Sequence, residues 1–321
     1  MSAQTSTVVS SDPLVLESVA CCVCAGTASE PVGVGEDFEY GTSPDSFLAV
    51  RCQSCSLVYL DPRPALSELD RIYPDTYHAY SFDEDHFGLA YKVRCRLEAR
   101  RLLRACRGLP ADARILDVGC GDGFHLQLLV DRGKPGWRLE GVDVDARAVT
   151  AARGRGLRVH EATVENLDLA EEAYDLVLMI ATIEHVADPP AVLRAVHRLL
   201  KRGRAVLVVT DNTGSLDFRL GHTRHWGGYH FPRHWNLFDN ESMRKLAAAT
   251  AFQVEDLRTI TSPVNWTYTV RNALQDWGAP RRVVEQFSLS SPVALAAFTV
   301  FDLLHVAIGR GALLRAVLRK P

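Results

Sequence analysis

The chain has 321 residues, 47% hydrophobic and 23% charged, ordinary proportions for a globular protein that needs no covalent staples. A formal net charge of −3 gives no general attraction for nucleic acid, so a nucleic-acid partner is not expected. The opening MSAQTSTVVSSDP lacks the basic-then-apolar order of a secretory leader, so a cytoplasmic location is expected, with the eight cysteines as thiols or metal ligands.

Residues 1–16 are polar and Ser/Thr-rich and are expected to be disordered. Two C-x-x-C knuckles follow, Cys21/Cys24 and Cys52/Cys55, in a segment 17–84 read as a small lobe with a trailing arm. Two such knuckles close a tetrahedral four-thiolate site, so a structural zinc is expected there. Cys22 is an alternative to Cys21, with poorer spacing to Cys24. Residues 85–321 read as the main domain. Leu89, Val93, Leu97, Leu102 and Leu103 recur at near-helical spacing, and Gly108 with Pro110 stops that helix.

Residues 114–124 read RILDVGCGDGF. Ile115, Leu116 and Val118 form the short apolar run of a strand buried on both faces. Gly119, Gly121 and Gly123 then let the backbone turn sharply and let a ligand approach closely. After a further predicted strand, Arg138–Val142, Asp143 is placed to accept hydrogen bonds from a ribose. Asp117, at the mouth of the loop, would repel a pyrophosphate but suits an ammonium group. S-adenosylmethionine (SAM) has a ribose and an ammonium and no phosphate. Strands and helices alternate beyond this point, the mark of a doubly wound parallel sheet.

ILDVGCGDG, GVDVD at 141–145, YDLVLMIATIEHVADP at 174–189 and LLKRGRAVLVVT at 199–210 resemble, in order and spacing, the successive motifs of class I SAM-dependent methyltransferases. The resemblance covers roughly Arg114–Leu257. It implies an α/β Rossmann-like methyltransferase sheet, here with a small zinc-ribbon-like N-terminal lobe. It also implies SAM held by Asp117, Gly119, Cys120, Gly121, Gly123, Asp143, Val144, Ala162, Thr163, Val164 and Ile180. Ala162 stands where an adenine-binding acid is usual. Some relatives carry a metal-binding E-x-x-E-H; here Ala181 replaces the first glutamate, so no metal is expected there. Glu184 and His185 then read either as base and orienter or as a helix cap and a packing residue. The stretch RCQSCSLVYLDPRPALSELDRIYPDTYHAY resembles the zinc-binding segment ahead of some bacterial small-molecule and sugar methyltransferases, whose arm closes over the active site. Tyr73, Tyr77, His78 and Tyr80 lie in that arm.

The segment after Thr210 interleaves His222, His225, His230 and His234 with Trp226, Tyr229, Phe231 and Trp235, and reads as a pocket wall with titratable groups. His185, His230, His234, Glu184 and Tyr229 are the catalytic candidates. An insertion at 262–311 ends in the apolar run Pro292–Gly309. That run is shorter than the ~20 residues a bilayer span needs and is interrupted by Asp302 and His305, so no stable membrane insertion is expected. It is a helix packed on the sheet domain, a homodimer contact, or a lid on the acceptor pocket. The expected reaction is methyl transfer to O, N or C of a small molecule with an apolar or aromatic part, in natural-product or cell-surface biosynthesis. Non-methylating SAM chemistry and a macromolecular acceptor are the competing readings.

Overall fold

The computed structural model describes residues 12–74, 77 and 84–321, with backbone alone at 84–87, 89 and 90. His78, Tyr80 and residues 1–11 lie outside the described residues. Within the stretch expected to be disordered, Leu14 is buried and its N–H donates to Asp45 at 2.7 Å.

In chain order the lobe holds β1 (Leu16–Glu17), β2 (Ser29–Gly35), β3 (Phe47–Cys52), β4 (Val58–Leu60), β5 (Arg63–Pro64) and the short helix α1 (Leu69–Ile72). Helix α2 (Glu84–Ala105), broken at Gly88 where φ is 49°, leads into the main domain. That domain alternates β6 (Arg114–Val118), α3 (Phe124–Arg132), β7 (Arg138–Asp143), α4 (Ala146–Gly154), β8 (Val159–Glu161), β9 (Tyr174–Ile180), α5 (Pro189–Leu199) and β10 (Leu200–Asp211). Then come α6 (Leu216–Gly221), β11 (Asn236–Leu237), α7 (Asn240–Ala249), β12 (Gln253–Ile260), α8 (Pro263–Asp276), α9 (Arg281–Val284), α10 (Pro292–Val306) and β13 (Leu313–Arg319).

Seven strands form one sheet in the order β12-β13-β10-β9-β6-β7-β8. β13 runs antiparallel to both its neighbours; the other adjacent pairs are parallel. The expected doubly wound Rossmann-like sheet is therefore present. Its central strands carry near-continuous apolar side chains because helices cover both faces. Ile115 and Leu116 of β6 and Val177, Leu178 and Met179 of β9 are fully buried. One face packs on Val192, Leu193 and Val196 of α5 and on Met243 and Leu246 of α7; the other packs on Leu102 of α2 and Leu128 and Leu129 of α3. The chain leaves β6 toward β7 and β8 on one side and returns as β9 on the other. This strand-order reversal opens a crevice beyond the carboxyl ends of β6 and β9.

The lobe sheet runs β11-β4-β3-β2 and is antiparallel. Its edge strand β11 comes from the histidine-rich segment of the main domain, pairing Asn236 with Tyr59 and Leu237 with Val58. The lobe and the predicted pocket wall thus share backbone hydrogen bonds.

Of the three expectations for Pro292–Gly309, the geometry matches helix packing. α8 lies against Gly227–Tyr229, and α10 lies on α8. Trp266 of α8 stacks on Phe298 (6.3 Å, 11°) and meets Phe301 edge-on (4.9 Å, 76°). The two phenylalanines therefore face α8 and not the histidines, which corrects the lid expectation. Asp302 is buried because its carboxylate accepts from Ser262 N–H (2.9 Å), Trp266 Nε1–H (3.1 Å) and Ala312 N–H (3.2 Å). Among the described residues no helix is long and apolar enough to cross a membrane.

Candidate functional site

The crevice beyond β6 is shaped by the glycine loop. Gly119, Gly121 and Gly123 have φ of 71°, 53° and 84°, a region that side chains with a Cβ disfavour. A Cβ on Gly119 would also lie 2.4 Å from the Thr182 methyl, so the loop is packed against the segment that follows β9. The Gly119 and Cys120 N–H groups donate to the Val142 carbonyl at 2.8 and 3.2 Å. The Cys120 thiol points into the core against Gly141, so Cys120 offers a ligand only main chain.

Asp143 stands at the end of β7. Its carboxylate accepts from Gly121 N–H (2.8 Å) and Asp145 N–H (2.9 Å), which fixes the loop and the acid together. Val144 beside it is largely exposed, an apolar surface at the crevice. Ala162 N–H donates to the Asp143 carbonyl at 3.0 Å, which brings Ala162, Thr163 and buried Val164 to the same side. Ile180 ends β9 next to Ala181, whose φ is 52°.

Asp117 is buried, and its Oδ2 has no hydrogen-bond partner. The nearest basic atom is His125 Nδ1 at 3.9 Å. Burial and the charge of Arg94 push His125 down to about 3, so it is neutral and gives no counter-charge. Burial, then the charge of Asp143, push Asp117 up to about 8. A buried carboxylate oxygen left unpaired is costly unless a ligand completes it. Two acids beside a left-handed glycine loop fit a ligand that brings an ammonium and a ribose, as SAM does.

Beyond Thr182 the chain turns into Ile183-Glu184-His185 at the foot of the lobe. Glu184 is buried; its carboxylate accepts from Thr210 Oγ1 at 2.8 Å, and its carbonyl accepts from Trp235 N–H at 2.8 Å. Burial raises Glu184 to about 7, with His234 opposing and Asp211 adding to the shift. His185 Nδ1 lies 2.9 Å from the Tyr73 hydroxyl and 3.2 Å from the Arg233 carbonyl. Burial, then the charges of His234 and His230, hold His185 well below its ordinary value, so it is neutral. The His185 and His234 rings meet edge-on at 4.5 Å, and the His230 and His234 rings lie 4.9 Å apart. His234 Nδ1 lies 2.8 Å from the Gly228 carbonyl and 3.1 Å from the Asp211 carboxylate. Burial works to lower His234, but the hydrogen bond and charge of Asp211 outweigh it and raise it. His230 Nδ1 lies 2.7 Å from the Glu39 carboxylate of the lobe.

His185, His230, His234 and Glu184 are therefore together, and Tyr73 and Tyr77 of the arm close on them. The Tyr77 ring packs 5.1 Å from Tyr73 and 5.9 Å from His230. Ligand atoms of Glu184, His185 and His234 lie within 4.8 Å of one another. Tyr229 is not among them, which corrects its reading as a catalytic candidate. Its hydroxyl donates to the His222 carbonyl at 2.5 Å and its ring stacks on Phe231 at 4.5 Å, in the lobe's own core. His222 and His225 also lie outside the group; His225 Nε2 pairs with Asp276 at 2.9 Å.

Sequence reasoning missed the residues that hold this cluster. Arg233 is wholly buried and makes a two-pronged pair with Asp37 at 3.1 and 2.8 Å. Its Nε–H donates to the Ile72 carbonyl at 2.6 Å, and its guanidinium lies 4.5 Å from the centre of the Tyr40 ring. Asp211 is oriented by Asn265 of α8 at 2.5 Å. The available signal was Asp211's place at the end of a long apolar strand; nothing local marks Asp37 or Glu39.

In the lobe the Cys21 and Cys55 sulfurs are 3.3 Å apart and those of Cys24 and Cys52 3.4 Å apart, all four within 4.8 Å. The Cys22 thiol instead donates to Asn236 Oδ1 at 3.2 Å, so Cys21 belongs to the cluster and Cys22 does not.

The sheet order, the left-handed glycine loop and the acid at the end of β7 define a class I SAM-dependent methyltransferase fold. A family model described as a methyltransferase domain matches residues 89–257, more than half of the chain, and the chain belongs to that family. A ubiquinone biosynthesis O-methyltransferase of Pseudomonas aeruginosa is 33% identical over 109 residues, 32% of this chain and 46% of that relative. One from Cereibacter sphaeroides is 29% identical over 169 residues, 49% of this chain and 67% of the relative. The chain thus spans about half the length of the first of these curated relatives. Phosphoethanolamine N-methyltransferase 2 of Haemonchus contortus, solved with SAM, shares the fold at 18% identity and a TM-score of 0.52, over 92% of this chain and 69% of that one.

Proposed function

We propose that the chain transfers the methyl group of SAM to an oxygen nucleophile of a small molecule bound between the lobe and the sheet domain. The observation that carries this is the neutral His185, reached by the arm through Tyr73 at 2.9 Å and three residues beyond the Thr182 that packs on the glycine loop. The names of the relatives favour oxygen over nitrogen or carbon. When bound, SAM supplies an electrophilic methyl group and a good leaving group, so the protein has to align the acceptor and exclude water. Asp117 would meet the ammonium, Asp143 the ribose, and Val144 with 162–164 the adenine.

A hydroxyl acceptor arrives protonated and needs a base. With Nδ1–H donating to the Arg233 carbonyl, His185 Nε2 is free to take that proton. Glu184, whose carboxylate lies within 4.8 Å of the His185 and His234 ring nitrogens, is the acid that offsets the imidazolium that forms. Tyr40, Tyr73 and Tyr77 give the acceptor an aromatic wall, in keeping with the aromatic or apolar molecules of natural-product or cell-surface biosynthesis. The four clustered thiols suit a tetrahedral structural zinc, with every position closed by sulfur.

Purified chain is incubated with methyl-labelled SAM and a panel of phenols and sugar derivatives. Label is expected on oxygen, and His185→Ala should lower turnover about 10²–10⁴-fold while SAM affinity stays unchanged. A His185→Ala variant with full turnover would remove His185 from the chemistry.

A further inference from the structure

Helix α10 presents its faces the wrong way round for a helix on a soluble surface. Its only charged residue, Asp302, faces inward, where it is buried and bonded to Ser262, Trp266 and Ala312. Its outward face carries Val293, Val300, Leu303, Leu304 and, just past its end, Ile308, which are 52–78% exposed. The remaining outward positions are alanines and Pro292. Fifteen residues make this face about 22 Å long. Monomers rarely leave so continuous an apolar patch in water, and one this large marks a binding surface.

Charge flanking the patch in sequence selects its occupant. Arg281 and Arg282 are exposed on α9, just ahead of α10, and the Phe287–Phe298 contact at 6.3 Å ties that segment to the helix. Exposed Arg310 follows the other end. Glu285, the exposed acid of this stretch, is shared with Arg281 at 2.6 Å. A second copy laid on this face brings a second set of exposed Arg282 and Arg310 to the same seam, with Glu285 already shared with Arg281. That gathers like charges, which is unfavourable at an interface. Anionic headgroups satisfy both ends at once, because local charge acts within a Debye length whatever the net charge of the chain.

We propose that α10 is a membrane-docking surface. It lies flat in the headgroup region of a bilayer bearing anionic lipid, with Val300, Leu303, Leu304 and Ile308 entering the acyl boundary and Arg282 and Arg310 meeting phosphates. At about 22 Å the helix is shorter than the roughly 30 Å hydrocarbon core, so it rests on the membrane without crossing it. This inference is independent of the acceptor chemistry.

The full chain is floated with vesicles of phosphatidylcholine alone and of phosphatidylcholine mixed with phosphatidylglycerol, and its mass in lipid-free buffer is measured by light scattering. Binding to the anionic vesicles is expected, weaker at high salt. Val300→Asp with Leu304→Asp should reduce it more than ten-fold. Arg282→Gln and Arg310→Gln should each weaken it about five-fold. Unchanged SAM affinity and melting temperature in these variants show that they fold. A wild-type chain that does not float, or a double-aspartate variant that floats equally well, overturns the proposal. A lipid-free dimer that the aspartates split into monomers assigns the face to a second copy and also overturns it.

Discussion

Asp117 ties stability to pH through a single proton and, through its proposed contact with the SAM ammonium, to the cofactor. Its folded-state carboxyl is raised from 3.8 to about 8 by burial and then by Asp143. The folded chain holds that proton where the unfolded chain releases it. The contribution to stability is therefore fully present below about pH 4 and is lost as pH rises through about 8. Asp117→Asn keeps the shape and removes the titration. We expect its melting temperature to fall less between pH 5 and pH 8 than that of the wild type, and saturating SAM to flatten the wild-type slope. Equal slopes with and without the substitution would show that Asp117 is paired in solution by a group other than the ligand. The place of this acid was legible in the sequence because it is local: strand, acid, glycine turn and second acid all follow within 30 residues. Tyr229 was not legible, because an aromatic among histidines looks the same in sequence whether it lines a pocket or packs a core.

At the scale of elements, the acceptor side depends on one long-range pin. Arg233 and Asp37 are 196 positions apart, yet both side chains are fully buried and paired. Burial works to raise Asp37, but the charge and hydrogen bonds of Arg233 hold it down at about 2. Removing one partner of such a pair leaves a buried uncompensated charge, which costs about 3–5 kcal/mol. Asp37→Asn should therefore lower the unfolding free energy, measured by chemical denaturation, by an amount in that range. It should also free the loop that carries His230 and His234, so turnover falls while SAM affinity holds. A loss below ~1 kcal/mol would show that water reaches the pair. The doubly wound sheet and the glycine loop could be read from pattern and spacing. This pin and the β11–β4 pairing could not, because nothing periodic announces a partner in another part of the chain.

Across the whole molecule, the lobe, the histidine loop and the insertion form one assembly set on the sheet domain. β11 carries the lobe sheet into the histidine loop, Glu39 reaches His230, and Asn265 of α8 orients Asp211. The cysteine knuckles pack into the core cluster that also holds side chains of α5 and α7, with Cys52 closing β3 and Cys55 buried just before β4. Metal at the knuckles would then govern the acceptor side and leave the cofactor crevice alone. We expect freshly purified protein to carry about one zinc per chain and Cys52→Ser to lose it. SAM affinity, measured by calorimetry, should change less than about two-fold, because among the described residues no lobe residue holds the glycine loop. Turnover should drop and amide exchange should quicken in β2, β3, β4 and β11 together, since they share one ladder. Quicker exchange confined to the two knuckles, with turnover intact, would show that the metal steadies its own loops only.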